Sequence, residues 1–214
     1  MKNYILLFVI ILSINTVFAD SPLTSTDFYK AYMDVPLINK TAKSNGVLTD
    51  EIFEYLNSNN CIDKKIALIN ALKWNLNGKN NAVLYLHKLF LKHNEYSPTN
   101  FYKKGTAEEL ICYAYLKGMD NYFDVKNASL FSLRAIKLNP NSYTIAIVNQ
   151  LIISQMFSQN NWCEIYSGMN TIKENNNLNA DFRRKATEII FEYTNIYKDN
   201  CTVFYSIKKF IKGS

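Results

Sequence analysis

TAEELICYAYLKGMDNYFDVKNASLFSLRAIKLNP, residues 106–140, carries two helical periods together with the signals that start and stop each. Thr106 and Glu109 have the spacing of a reciprocal cap, in which the hydroxyl accepts from the amide three residues on and the carboxylate reaches back to the Thr106 amide. Apolar residues then recur at three- and four-residue intervals, which predicts a helix over 107–117 that Gly118 stops. A second helix is expected from near Asn127, whose side chain suits the orphan amides of a first turn, to the residue before Asn139 and Pro140. Asp124 reads as a loop or capping residue between them. The stretch is a helical hairpin, and Gly118 and Asp124 serve its geometry, not a reaction.

The register recurs on both sides. Ala107, Ile111, Tyr115 and Gly118, followed by Asn127, Ala128, Phe131 and Ala135, match Ala67, Ala71, Asn75 and Gly78, followed by Asn81, Ala82, Tyr85 and Leu89. Downstream the second half returns as Asn161, Trp162, Ile165 and Met169, and again as Asn200, Cys201, Phe204 and Lys208, with a charge in the last apolar slot. The residues that follow these four asparagines are 46, 34 and 39 apart, a range typical of helix-pair repeats. No segment after residue 20 has a convincing strand pattern. A lone hairpin cannot hide both of its apolar stripes, so each is expected to stack on the next, with Ala71, Ala82, Ala128 and Ala135 letting helix axes approach. The expected fold is all-α, a right-handed solenoid of about five antiparallel hairpins over residues 25–57, 62–92, 106–138, 142–175 and 180–211. Pro36 interrupts the first.

Residues 107–135 resemble a Sel1-like repeat, the relative of the tetratricopeptide repeat with a longer loop between its helices. The alanine, apolar, tyrosine and glycine positions of that family fall on Ala107, Ile111, Tyr115 and Gly118. Its aspartate, lysine-alanine, aromatic and alanine positions fall on Asp124, Asn127 with Ala128, Phe131 and Ala135. Asn127 stands where lysine is usual, and the loop lacks the second glycine. The run from Ala135 to Pro140 is similar to the end of a tetratricopeptide unit. The resemblance covers one unit, under a fifth of the mature chain, and implies an interaction scaffold.

The first residues supply a compartment. MKNYILLFVIILSINTVFADS has Lys2, an apolar run from Tyr4 to Leu12, and Val17 and Ala19 at the spacing of a signal-peptidase site. A signal peptide over residues 1–19 is expected, with cleavage after Ala19. The apolar run is shorter than the roughly 20 residues of a spanning helix, so no stable membrane insertion is expected afterwards. The mature 195 residues suffice for one domain. Export to a periplasm is the expectation, with secretion as the alternative. The formal charge of +6 is spread along the chain. In an exported protein it reads as solvated surface, not as a nucleic-acid site.

Few traces of chemistry are present. There is no Gly-x-Ser-x-Gly turn, no His-Glu-x-x-His helix and no phosphate-cradling glycine loop. His87 and His93 are six residues apart, on different faces of a helix. No cofactor and no metal is expected. The enzymatic alternative is a cell-envelope hydrolase acting on peptidoglycan or a β-lactam through paired carboxylates. Glu108 with Glu109, Glu51 with Glu54, and Glu188 with Glu192 are its candidates; each lies on a helix and is better explained as first-turn dipole compensation or a solvated face.

Binding of another protein is the leading reading, with an immunity-type inhibitor of a secreted toxin or an envelope adaptor as its forms. Residues 94–105 gather Tyr96, Phe101 and Tyr102 beside Lys103 and Lys104, a set suited to anchoring a partner. The alternative is that these rings cover the seam between the second and third hairpins. Tyr122 and Phe123 form a second candidate. Cys163 and Cys201 begin equivalent helices of the last two hairpins, where a bridge would staple an end prone to fraying. Cys61 with Cys112 would then follow by elimination. Four cysteines allow three pairings, and free thiols are the further alternative.

Overall fold

A computed structural model of the chain describes residues 21–157 and 161–201. The expected signal peptide over residues 1–19 and the Phe204 and Lys208 positions of the last expected hairpin lie outside the described residues. Within them the fold is all-α: there is no strand, and Ser142 and Asn179 form an isolated bridge. The helices are α1 (Pro22–Ser25), a 3-10 helix (Phe28–Tyr32), α2 (Pro36–Ala42), α3 (Asp50–Leu56), α4 (Ile62–Ala71), α5 (Asn81–Lys92), α6 (Phe101–Lys104), α7 (Ala107–Asp120), α8 (Lys126–Leu138), α9 (Tyr143–Phe157), α10 (Trp162–Glu174) and α11 (Arg184–Asn195).

The capping box forms as expected. Thr106 Oγ accepts from the Glu109 amide at 3.2 Å, and Glu109 Oε2 accepts from the Thr106 amide at 2.8 Å. The α8 helix ends before Asn139. Two local expectations are corrected. Gly118 does not stop α7, which continues to Asp120; it lies in the helix interior facing Leu23, whose Cδ2 would sit 3.4 Å from a Cβ placed there. Asn127 does not cap α8, which begins at Lys126 after Val125 with no side-chain cap.

The first-half positions of the register are not structurally equivalent. The α4 helix ends at Ala71, and Lys73 turns the chain with a positive φ, so Asn75 and Gly78 lie in a loop while Tyr115 and Gly118 are helical. Asn81 grips a preceding loop across the molecule, accepting from the Leu48 amide at 2.8 Å and donating to the Gly46 carbonyl at 3.0 Å. Residues 25–57, expected as the first hairpin, form the 3-10 helix, α2 and α3 in place of a helix pair.

Consecutive helices pack as neighbours from α7 onward: α7 on α8, α8 on α9, α9 on α10, and α10 on α11. Upstream, α5 lies on α7, and α4 also contacts α7. Ala71, Ala82, Ala128 and Ala135 are buried, as the small-residue reading requires. The α7 and α9 helices are covered on nearly every side, which is why Leu110 through Leu116 and Ile145 through Ile152 lack a polar stripe.

The beginning of the chain departs most from a simple row of hairpins. The α1 helix contacts α7, α9 and α11, and the 3-10 helix contacts α4 and α11. Leu23, Phe28 and Tyr32 are wholly shielded from water. Residues 21–32 are therefore core and touch a helix near residue 190. Long-range capping adds to this closure. Asp120 accepts from the Ala82 amide at 2.7 Å, at the start of α5. Asp181 accepts from the Thr144 amide at 2.8 Å, at the start of α9. Both place an acidic group at the positive end of a helix in another part of the chain.

Candidate interaction surface

The residues singled out from the sequence divide into a buried group and an exposed group. Phe101 is buried at the centre of a ring cluster, with Phe90, Tyr96, Tyr113 and Phe131 at centroid distances of 5.6–6.1 Å. Tyr96 is half-buried; its hydroxyl donates to Glu109 Oε2 at 2.8 Å, and burial followed by that carboxylate pushes its pKa upward. Tyr102 is exposed with its edge toward Phe131, and Lys103 and Lys104 are exposed at the end of α6. Phe101 and Tyr96 thus fill the seam between α5, α7 and α8, and Tyr102 lies outside it.

Tyr122 and Phe123 lie elsewhere, at the turn between α7 and α8. Tyr122 packs edge-on against Trp74 at 4.9 Å and leaves Phe123 above it, 64% exposed. Leu76, in the loop after α4, is 58% exposed and lines a cleft of 290 Å³ with Phe123, Gly78 and Asp120. On the other side Phe123 and Met156, the latter 51% exposed, line a second cleft of 230 Å³ with Lys126 at its rim. Three large apolar side chains from three different loops and helix ends therefore share one rim of the molecule. Leu76 and Met156 are new to the site. Leu76 had a sequence signal: it stands alone among turn-forming residues 75–81, with no helical stripe to serve.

The floor of the first cleft is polar. Burial pushes the Asp120 carboxyl up to about 6, against the Ala82 amide and Lys79, which pull it down. Its Oδ1 is buried without a hydrogen bond. Burial likewise lowers the Lys79 pKa, and its ammonium donates to the Leu72 carbonyl at 2.5 Å and the Lys73 carbonyl at 2.9 Å.

Five of the six candidate carboxylates are engaged in ion pairs or caps, and Glu192 is exposed on α11. Glu109 serves Thr106 and Tyr96. Glu108 pairs with Lys65, whose side chain is almost wholly buried, at 2.5 Å. Glu51 pairs with Lys40 at 2.5 Å, Glu54 with Lys92 at 2.9 Å and Glu188 with Arg184 at 2.9 Å. Lys65, Lys92, His93, Glu108 and Glu109 line an open cleft of 580 Å³. His87 is exposed on α5. Among the described residues no three His, Cys, Asp or Glu side chains are grouped to hold a metal ion, and no helix is long and apolar enough to cross a membrane.

Cys163 and Cys201 are disulfide-bonded, with Cα atoms 4.7 Å apart. Cys61 and Cys112 are not bonded to each other: Cys61 is exposed before α4, whereas Cys112 is enclosed in the middle of α7. Elimination fails here because burial offers Cys112 an apolar site as good as a bridge. Burial pushes the Cys112 thiol up to about 12.

No family model, no curated protein and no solved structure matches the chain. The surface must therefore be read from its own chemistry.

Proposed function

We propose that the chain is an exported helical-repeat scaffold that binds another protein through the rim formed by Leu76, Phe123 and Met156. The observation that carries this reading is the exposure of three large apolar side chains around two adjoining clefts. Desolvating such side chains is the main source of affinity at a protein interface, and aromatic anchors dominate it.

The cysteine bridge supports an oxidising compartment, in keeping with the signal-like first residues. The hairpin packing of α7 on α8 and α9 on α10 supports a stacked-repeat architecture of the Sel1-like or tetratricopeptide-like kind. Within this reading the chain is an immunity-type inhibitor that occludes a secreted toxin, or an adaptor in an envelope complex.

The test is affinity capture from an envelope extract with the mature chain and with Phe123→Asp. A protein retained by the first and lost by the second supports the proposal. Retention of no stable partner, or of one indifferent to Phe123→Asp, overturns the assignment of this rim.

A further inference from the structure

We infer that the bed formed by α4, α7, α9 and α11 is a peptide-recognition groove that the chain fills with its own residues 21–32, and that it accepts the same segment from a second copy. This site is separate from the Phe123 rim and does not rest on it.

The grip is of the kind used for a peptide. Asn70 on α4 accepts from the Tyr29 amide at 2.9 Å and donates to the Thr26 carbonyl at 3.1 Å. One side-chain amide thereby satisfies a backbone donor and a backbone acceptor, as a neighbouring strand would, without reading the residues that carry them. A third bond, to the Tyr115 hydroxyl at 2.9 Å, holds the amide in this orientation.

Specificity comes from side chains entering the bed. Leu23 rests over Gly118 at ordinary contact distance, with Ile152 beside it. Phe28 stacks parallel to Tyr115 at 6.3 Å and meets Phe182 edge-on at 5.4 Å. Tyr32 lies under the Arg183 guanidinium, 4.4 Å from the ring centroid, and its hydroxyl accepts from the Arg183 amide at 3.1 Å. The recognised pattern is a leucine followed by aromatic residues five and nine positions later.

In a chain cut after Ala19 the segment is tethered at one end. It joins the rest of the chain through residues 33–35, where Met33 and Val35 pack partly against the core and the exposed Asp34 pairs bidentately with Arg183 at 2.5 and 3.0 Å. Residues 183 and 34 are exposed enough for water to compete with this pair. Each contact within the bed can be made identically by a segment arriving from another molecule. The covalently attached segment competes at an effective concentration on the order of millimolar for a short tether, so the free groove is rarely populated in the intact chain.

The experiment uses the mature chain and a fluorescent synthetic peptide of residues 21–32, with a scrambled peptide as control. Leu23→Ala in the chain weakens the resident segment and leaves the bed unaltered. It is expected to raise affinity for the peptide at least tenfold over the parent chain. Adding Asn70→Ala is expected to remove that gain. Absence of peptide binding by folded Leu23→Ala chain, equal binding of the scrambled peptide, or indifference to Asn70→Ala overturns the inference. Native-state hydrogen exchange on the parent chain provides a readout independent of the variants' folding. The Tyr29 amide is expected to open at least tenfold more often than the Leu110 and Ile111 amides of α7, whereas equal protection would make the segment an inseparable part of the core and overturn the inference.

Discussion

Asn70 and Tyr115 meet at 2.9 Å, the asparagine amide donating to a hydroxyl that is wholly shielded from water. The pair joins α4 to α7 directly beneath the N-terminal segment, and the two partners are unequal. Tyr115 contributes one hydrogen bond, whereas Asn70 also satisfies backbone groups of Thr26 and Tyr29. Removing a buried group's partner costs about 1–3 kcal/mol for each group orphaned, against about 1 kcal/mol net for an ordinary bond. Asn70→Ala is therefore expected to lower unfolding stability by about 3 kcal/mol and Tyr115→Phe by about 1 kcal/mol. Urea denaturation of the two variants measures this, and equal losses would contradict the clamp.

Asp120 predicts a pH dependence of definite sign. Its folded value of about 6 lies above its ordinary 3.8, first because of burial. The folded chain thus holds the proton more tightly than the unfolded chain. The resulting stabilisation is complete below pH 3.8 and is lost as the pH rises through 6. Asp120→Asn keeps an oxygen for the Ala82 amide and removes the charge. Relative to this variant, the parent chain should lose on the order of 1–2 kcal/mol between pH 4 and pH 7. Parallel stability profiles over that window would refute the assignment.

The helical class and the Thr106 cap were legible because their causes are local: apolar spacing, and two side chains three residues apart. The Cys163–Cys201 bridge was one of three pairings open to the sequence, and the 4.7 Å approach of their Cα atoms is what selects it. The role of residues 21–32 was not legible, because Leu23, Phe28 and Tyr32 make contacts up to residue 183 and show no long helical period. Gly118 misled for a physical reason. It has no positive φ inside α7, and a Cβ there would meet Leu23 at an ordinary 3.4 Å, so neither a turn nor a close approach requires the glycine. Asparagine is similarly ambiguous: Asn81 has the residue type of a cap yet spends its amide on Gly46 and Leu48. The Phe123 rim was half legible, since Met156 reads as one more apolar residue of α9 until the turn of residues 121–125 is placed beside it.

The aromatic candidates can be separated by stability alone. Phe101 touches four other rings from a buried position, so Phe101→Ala should cost about 3–5 kcal/mol. Phe123 is mostly in solvent, and Phe123→Asp should change stability by no more than about 0.5 kcal/mol. Thermal unfolding of both variants compares them. A large loss for Phe123→Asp would make that ring a structural element and disqualify it as a free anchor.

Thiol accessibility gives the last expectation and tests the cysteine assignment as a whole. In the folded, oxidised chain an alkylating reagent at pH 8 should modify Cys61 rapidly and leave Cys112 untouched, because Cys112 is enclosed and its thiol is held at about 12. Denaturation without reductant should release Cys112 but neither Cys163 nor Cys201. Their bridge spans 38 residues, and closing a loop of that length in the unfolded chain corresponds to about 4 kcal/mol. Cys163→Ser together with Cys201→Ser should therefore lower stability by up to about that amount and loosen α10 from residue 201. Peptide mapping of the alkylated protein reads all four positions at once. Rapid labelling of Cys112 in the folded state, or recovery of a peptide joining Cys61 to Cys112, would be incompatible with the packing of α7.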